Sequence, residues 1–117
     1  MLIPLKPDFF FKDDRGSLTQ LCRRGFSQVN VIHSFAGAKR GGHLHELNAE
    51  TFYVISGKCE VVCPGEKAVF EAGEMFLVPP GLKHSFTFLE DSTLVSMYSL
   101  GVELADGSLD IHTESEE

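Results

Sequence analysis

The chain has 117 residues, of which 43% are hydrophobic and 23% charged, and its formal net charge is −7. This length and composition predict one globular domain with a single core, and the acidic balance argues against nucleic acid or an anionic membrane as the main partner. No stretch approaches membrane-spanning length, and the three cysteines lack a framework spacing. We therefore predict a cytoplasmic protein with reduced thiols.

The first twelve residues are predicted to form an N-terminal arm. This segment, residues 1–12, contains two prolines and the triplet Phe9-Phe10-Phe11. Because proline removes a donor from a β-ladder, the segment suits an edge strand whose apolar side chains still need to be covered. We expect the arm to pack across a neighbouring subunit in a homodimer.

Beyond the arm, short β-rich stretches alternate with turns, and no stretch has a sustained helical periodicity. This punctuation is typical of an all-β sandwich or barrel. Strands are predicted at 17–22, 29–35, 51–56, 59–63, 67–71, 75–78, 84–89 and 93–100, with a small hairpin from 102–104 to 109–111. We predict a single domain at 1–111 and an acidic, disordered tail at 112–117.

Two histidines separated by one residue, His43 and His45, precede a carboxylate at Glu50. Side chains alternate faces along a strand, so both histidines are predicted to point the same way. Another histidine, His84, lies in the later stretch GEMFLVPPGLKHSF. Imidazoles and a carboxylate are the ligands of first-row transition metals, so these four residues are candidate metal ligands.

The same alternation sends Phe52 and Val54 inward after Glu50, and Phe86 and Phe88 inward after His84. A few polar groups ringed by apolar side chains are typical of a small-molecule binding pocket. Outward parity leaves apolar surface at 51, 53 and 55, which also favours a homodimer.

The glycine and histidine spacing resembles the two motifs of the cupin superfamily. Residues 37–57 match the first motif at every fixed position, and residues 73–88 match the second except that Phe88 replaces the terminal Asn. The resemblance implies a double-stranded β-helix, or jelly-roll barrel. It also implies one divalent metal ion, Zn, Fe, Ni, Co or Mn, held by the four candidate ligands.

Two shorter elements resemble the cupins that act on sugar nucleotides, namely the dTDP-4-dehydrorhamnose 3,5-epimerases, the 3,4-ketoisomerases and the epimerising domains of capsular-sugar reductases. They are Asp14-Arg15-Gly16 and Arg40-Gly41-Gly42-His43. The resemblance implies that Arg15 and Arg40 bind an anionic sugar nucleotide, since guanidinium forks suit a diphosphate. The alternatives are a local salt bridge for Arg15 and a plain loop cation for Arg40.

Three functions follow from these residues. The first is a metal-dependent isomerase or epimerase of a keto-sugar or similar hydroxy-carbonyl compound, with Tyr98 and Glu46 as candidates for the base. Glu46 lies one residue beyond the histidine pair and so faces the other way on a continuous strand. The second is a metal-dependent dioxygenase, and the third is a cupin that binds a small molecule without turning it over.

Overall fold

The computed structural model describes residues 1–113, and these residues form twelve β-strands and no α-helix. In chain order the strands are β1 (Ile3–Leu5), β2 (Phe9–Asp13), β3 (Gly16–Gln20), β4 (Gln28–Ser34), β5 (Lys39–Leu44), β6 (Glu50–Ser56), β7 (Lys58–Cys63), β8 (Glu66–Glu71), β9 (Met75–Val78), β10 (His84–Phe88), β11 (Ser92–Tyr98) and β12 (His112–Thr113).

The strands assemble into two five-stranded antiparallel sheets and one separate hairpin. The first sheet has the order β1-β9-β6-β11-β4, the second has the order β12-β5-β10-β7-β8, and β2 pairs only with β3. From β4 to β12, sequential strands alternate between the two sheets, as in a jelly roll, except that β7 and β8 form a hairpin within the second sheet. The predicted all-β class and jelly-roll architecture are confirmed.

Alternating side chains build the core between the two sheets. Along β7 the side chains of Cys59, Val61 and Cys63 are buried while their neighbours are half-exposed. Along β10 the pattern is the same, with Phe86 and Phe88 directed into the core. Because alternation directs every second residue inward, these two strands form one wall of the interior.

The N-terminal arm is divided between core and surface. Leu2 is buried, its backbone N–H donates to Glu66 Oε1 at 3.0 Å, and β1 pairs with β9. The aromatic triplet Phe9-Phe10-Phe11 lies on the separate hairpin and is exposed. The first part of the arm thus belongs to the domain through Leu2 and β1, while the hairpin presents a run of exposed aromatic side chains.

Three local predictions differ from the structure. β5 ends at Leu44, so His45 lies just beyond the strand instead of within it. Thr51, predicted to face outward, is buried, although Ile55 on the same predicted face is exposed as expected. The small hairpin reduces to a single bridge between Glu103 and Leu109.

Two residues of the predicted tail belong to the fold. His112 and Thr113 form β12, which pairs with β5 at Leu44 and His43. This pairing uses the free edge of the second sheet, so two residues that read as part of an acidic tail gain backbone hydrogen-bond partners. The rest of the predicted tail, 114–117, lies outside the described residues. Within residues 1–113 no helix is long and apolar enough to cross a membrane.

Candidate metal centre

Three histidine rings meet between the two sheets. His43 lies on β5, His45 follows that strand, and His84 begins the neighbouring strand β10, directly opposite His43. Their ligand nitrogens all lie within 4.8 Å of one another. Adjacent antiparallel strands therefore bring together residues that are about forty positions apart in the sequence.

Glu50 reaches the same point from the opposite sheet, as the first residue of β6. Its Oε1 lies 3.2 Å from His45 Nε2 and 3.4 Å from His84 Nε2. Its Oε2 accepts a hydrogen bond of 2.6 Å from the hydroxyl of Ser96 on β11. One carboxylate oxygen is thus fixed by a neighbour, and the other faces the two imidazoles.

Two of the rings are oriented by backbone carbonyl groups. His45 Nδ1 lies 2.7 Å from the carbonyl oxygen of Asp110, and His84 Nδ1 lies 3.0 Å from that of Leu82. A carbonyl oxygen only accepts, so each neutral ring carries its proton on Nδ1 and directs the lone pair of Nε2 into the site. Such outer contacts are the usual way in which ligating histidines are fixed.

The residues fit a divalent metal ion. Among the described residues, His45 Nε2 and Glu50 Oε1 are buried side-chain atoms that lack a hydrogen-bond partner. Buried polar atoms are ordinarily satisfied. Here two atoms that both present lone pairs face each other, and a cation between them would satisfy both. Three imidazoles and one carboxylate match the preference of first-row transition metals.

The protonation states of Glu50 and His43 suit metal binding. Burial alone would raise the pKa of Glu50, but the rings of His45 and His84 and the Ser96 hydroxyl outweigh it and lower that pKa to about 2. Burial, together with the neighbouring His84 and His45, lowers the pKa of His43. The site therefore holds an ionised carboxylate and a neutral His43 near neutral pH. For His45, burial alone would lower the pKa, but the Glu50 side chain and the Asp110 carbonyl oxygen outweigh it and raise the pKa, so a proton competes with a metal ion for that ring.

The site opens into a cavity of about 100 Å³ whose walls are mostly apolar. Phe86 and Phe88 stack with ring centroids 5.7 Å apart, and the Phe52 ring lies 5.0 Å from Phe86. Tyr98, at the end of β11, places its ring against His45 at 5.0 Å. The cavity is lined by Ile32, Arg40, Gly41, His43, Glu50, Phe52, His84, Phe86, Phe88, Leu94 and Tyr98.

Arg40 is the cation of this lining. It is exposed, and its Nε donates to Ser34 Oγ at 2.7 Å while one terminal nitrogen donates to the carbonyl oxygen of His33 at 3.3 Å. These bonds hold the guanidinium group at the place where the cavity meets solvent. Its charge remains available to an anionic group of a bound molecule.

The burial of Tyr98 shapes its chemistry. Burial and the adjacent charge of Glu50 raise the pKa of the Tyr98 hydroxyl. The phenol is therefore protonated near neutral pH, and it can donate a hydrogen bond or a proton into the cavity.

The structure does not bring every predicted site residue to the cavity. Val54 is fully buried in the core and does not line the cavity. Arg15 lies on the hairpin, highly exposed, with a salt bridge of 2.6 Å to Asp13. Glu46 is exposed and lies 3.4 Å from His112, outside the cavity. Of the two interpretations of Arg15, contact with a sugar nucleotide or a local salt bridge, the single chain shows the local salt bridge.

Sequence reasoning missed several contributors. Ile32 and Leu94 complete the apolar wall, Ser96 holds Glu50, and the Asp110 carbonyl oxygen holds His45. The alternation along β4 and β11 could have identified the two apolar residues, because each lies on a face that this periodicity sends inward. The contacts of Ser96 and Asp110 depend on residues 46 and 65 positions away, for which a local pattern gives no signal.

Comparison with known proteins decides the family. The family model described as "Cupin domain" matches residues 32–100, which covers more than half of the chain and includes all four candidate ligands. The chain is a cupin. This cupin is also 30% identical over 69 residues to the pectin degradation protein KdgF of Dickeya dadantii (strain 3937). The match covers 58% of the chain and 63% of that relative, so it leaves more than a third of the relative's length unmatched.

Solved structures of low identity share the fold of this cupin. It superposes with a TM-score of 0.77 on ChmJ, a 3'-monoepimerase from Streptomyces bikiniensis in complex with dTDP-quinovose, at 24% identity, covering 98% of this chain and 70% of the other. It superposes equally well, at 0.77, on the WlaRB TDP-quinovose 3,4-ketoisomerase from Campylobacter jejuni, at 18% identity over 93% and 92% of the two chains.

Proposed function

We propose that this cupin is a metal-dependent isomerase or epimerase of a keto-sugar or a similar hydroxy-carbonyl compound. The observation that carries the proposal is the convergence of His43, His45, Glu50 and His84 beside an apolar cavity that also contains a protonated phenol. Isomerases of this kind move a proton next to a carbonyl group, and they need an electrophile at the oxygen and a proton carrier nearby.

The four converging residues would hold the metal. A divalent ion bound there would supply Lewis acidity toward a carbonyl or hydroxyl oxygen. The Phe52, Phe86 and Phe88 rings give the cavity a largely apolar wall, so charge that develops on a bound substrate would be poorly screened and would interact strongly with the fixed groups around it.

Tyr98 is the proposed proton donor. Its ring lies against His45 and lines the cavity, and its raised pKa keeps the hydroxyl protonated. It would donate a hydrogen bond to the oxygen on which negative charge develops. The proton of the neighbouring C–H bond would pass to a base other than the two sequence candidates, since Tyr98 itself is protonated. Glu46, the other candidate, lies outside the cavity and has no such access.

The size of the cavity and Arg40 limit the class of substrate. A cavity of about 100 Å³ is small, since pockets for drug-sized ligands start at about 300 Å³. A single sugar unit is therefore the portion that reacts inside, and Arg40 would bind an anionic group at the opening. The names of the similar proteins offer two such anions, the diphosphate of a nucleotide sugar and the carboxylate of a sugar acid from pectin.

Solvent isotope exchange tests this proposal. The protein loaded with zinc is incubated in D₂O with a dTDP-linked 4-keto-sugar or with a free keto-uronate, and we expect deuterium to enter at the carbon beside the carbonyl group. Tyr98→Phe should slow the exchange by about 100-fold or more, as expected for the loss of a general acid, while His33→Ala, on an exposed part of β4, should not. Oxygen consumption by the iron-loaded protein, without isotope exchange, would identify a dioxygenase, because Zn²⁺ has no redox chemistry. Tight binding without either would identify a module that only binds.

We also propose that the protein is a cytoplasmic homodimer. Cys22, Cys59 and Cys63 are all free thiols, as expected in a reducing compartment. The exposed aromatic triplet of the hairpin, together with the exposed Ile55 on the first sheet, supplies apolar surface for a second subunit.

A further inference from the structure

Asp110 stands out among the residues outside the cavity because its charged side chain is buried and its carboxylate accepts several hydrogen bonds. Its Oδ1 accepts from the backbone N–H of Glu46 at 2.8 Å, and its Oδ2 accepts from those of Leu47 at 3.0 Å and Asn48 at 2.9 Å. The Asn48 side chain adds a further bond of 2.7 Å to Oδ2. One carboxylate thus holds residues 46–48 of the loop that joins His45 to Glu50.

The backbone around Asp110 contacts the ligands themselves. Its carbonyl oxygen lies 2.7 Å from His45 Nδ1, and its own N–H donates to the carbonyl oxygen of Val102 at 2.7 Å. Two residues later β12 pairs with β5, where Thr113 lies opposite His43. The segment therefore contacts His45 by a side-chain bond and His43 by strand pairing.

We infer that the segment Asp110–Thr113, here called the C-terminal clasp, positions the metal ligands, and that Asp110 is its positioning residue. The carboxylate fixes the 46–48 loop, and this places the Asp110 carbonyl oxygen where it holds Nδ1 of His45 and directs Nε2 into the site. Asp110 touches neither the cavity nor the proposed ion; it acts through His45. The inference rests on the proposed metal site.

A closely matched control lies four residues away. Asp106 also accepts hydrogen bonds with its carboxylate, from the backbone N–H and hydroxyl of Ser108 at 2.9 and 2.6 Å. Those bonds close a surface turn, and they involve neither β5 nor the loop from His45 to Glu50. The pair Asp110→Asn and Asp106→Asn thus removes the same charge from the same segment, with and without contact to the ligands.

The test measures binding of Zn²⁺ and the absorption spectrum of the Co²⁺-loaded protein. We expect Asp110→Asn to weaken Zn²⁺ binding by about 10–100-fold, which is the usual effect of losing a group that supports a ligand, and to change the visible Co²⁺ bands. Asp106→Asn should leave both unchanged. An Asp110→Asn protein that binds Zn²⁺ as tightly as the wild type, with the same Co²⁺ spectrum, would overturn the inference.

Amide hydrogen exchange of the wild-type protein tests the same inference without any variant, and so covers the case in which Asp110→Asn fails to fold. Adding Zn²⁺ should slow exchange in residues 46–48 and 110–113 by about tenfold or more relative to the turn at 105–108, because the bound ligand His45 is tied to the clasp. Tight Zn²⁺ binding without added protection of the clasp would contradict the positioning role. A wild-type protein that binds no Zn²⁺ would instead refute the metal site itself.

Discussion

At the scale of single residues, Glu50 determines the charge of the site. It is the anion among three imidazoles, and Ser96 fixes one of its oxygens so that the other faces His45 and His84. Its pKa of about 2 means that it is ionised whenever the protein is folded near neutral pH. A neutral amide in its place would keep the size of the side chain and lose the charge.

Glu50→Gln should therefore weaken Zn²⁺ binding by more than Ser96→Ala does. Loss of a group that only supports a ligand reduces affinity by about 10–100-fold, and we expect Ser96→Ala to fall in that range and Glu50→Gln to exceed it. Titration calorimetry on both variants measures the difference. Equal affinities for Glu50→Gln and the wild type would exclude Glu50 from the ligand set.

Asp110 gives the site a defined response to acid. Burial would raise its pKa, but the side chain of Asn48 and the backbone amides of Glu46, Leu47 and Asn48 lower it from 3.8 to about 2. Because the pKa is lower in the folded state, the carboxylate adds stability above about pH 4, and this contribution is lost as the pH falls towards 2.

His112 Nε2 also lies 3.3 Å from Asp110 Oδ1, so the titration of Asp110 itself is best followed in acid. Below about pH 4 the difference in unfolding free energy between the wild type and Asp110→Asn should shrink. Urea unfolding of the metal-free proteins at several pH values measures this difference. If the difference in unfolding free energy instead grew as the pH fell below about 4, the native carboxylate would not be stabilised by these hydrogen bonds.

At the scale of elements, the junction of β5 and β10 places the histidines in register. A β-bulge at His84/Ser85 brings the backbone of β10 close to Gly41. A side chain at Gly41 would bring its Cβ within 2.8 Å of the His84 carbonyl oxygen, and φ at this residue is +97°. A Cβ at the neighbouring Gly42, where φ is +80°, would meet no atom within 4 Å.

Gly41→Ala and Gly42→Ala consequently separate backbone strain from steric conflict. Both replace a glycine at positive φ, which costs about 1–2 kcal/mol, but only Gly41→Ala pushes on His84. We expect Gly41→Ala to lose more stability and at least about tenfold in Zn²⁺ affinity, while Gly42→Ala binds Zn²⁺ normally. Thermal unfolding and Zn²⁺ titration provide the two measurements. If both variants bound Zn²⁺ equally well, the close approach would have no role in placing His84.

Local pattern was enough to predict most of the strands and to select four candidate ligands. His43 and Glu50 lie near one another in the sequence, and the alternation of β10 correctly directs Phe86 and Phe88 into the cavity.

Local sequence pattern failed where a contact depends on the pairing of distant strands. Strand β12 exists because the edge of β5 is free, and nothing in an acidic C-terminal sequence indicates that edge. Val54 points inward as predicted, yet it packs in the core below the cavity, because parity gives the face of a residue and not its depth.

At the scale of the whole molecule, the hairpin formed by β2 and β3 exposes a run of aromatic side chains. It belongs to neither main sheet, and Phe9, Phe10 and Phe11 are 46%, 59% and 48% exposed. Three consecutive exposed aromatic side chains are expected to be covered by another protein surface. A second copy of the chain is the proposed partner.

We expect sedimentation equilibrium at micromolar concentration to give twice the chain mass of 12.9 kDa. Replacing all three phenylalanines by serine should shift the equilibrium to the monomer, because apolar burial is the main force for association. Val69→Ser, on the exposed face of β8, should remain dimeric. A wild-type monomer at these concentrations would contradict the proposed dimer.

The central claim is that His43, His45, Glu50 and His84 bind one divalent metal ion, and the stoichiometry of Zn²⁺ binding tests it most directly. Calorimetric titration of the metal-free protein should show one ion per chain, with stabilisation of about 2.7 kcal/mol when free Zn²⁺ is 100 times the Kd. His45→Ala and His84→Ala should abolish the binding, while His33→Ala, whose ring Nδ1 lies 3.0 Å from the Thr93 hydroxyl on the exterior, should retain it. Binding that persists unchanged in His45→Ala, or a wild-type protein that binds no ion, would contradict the account.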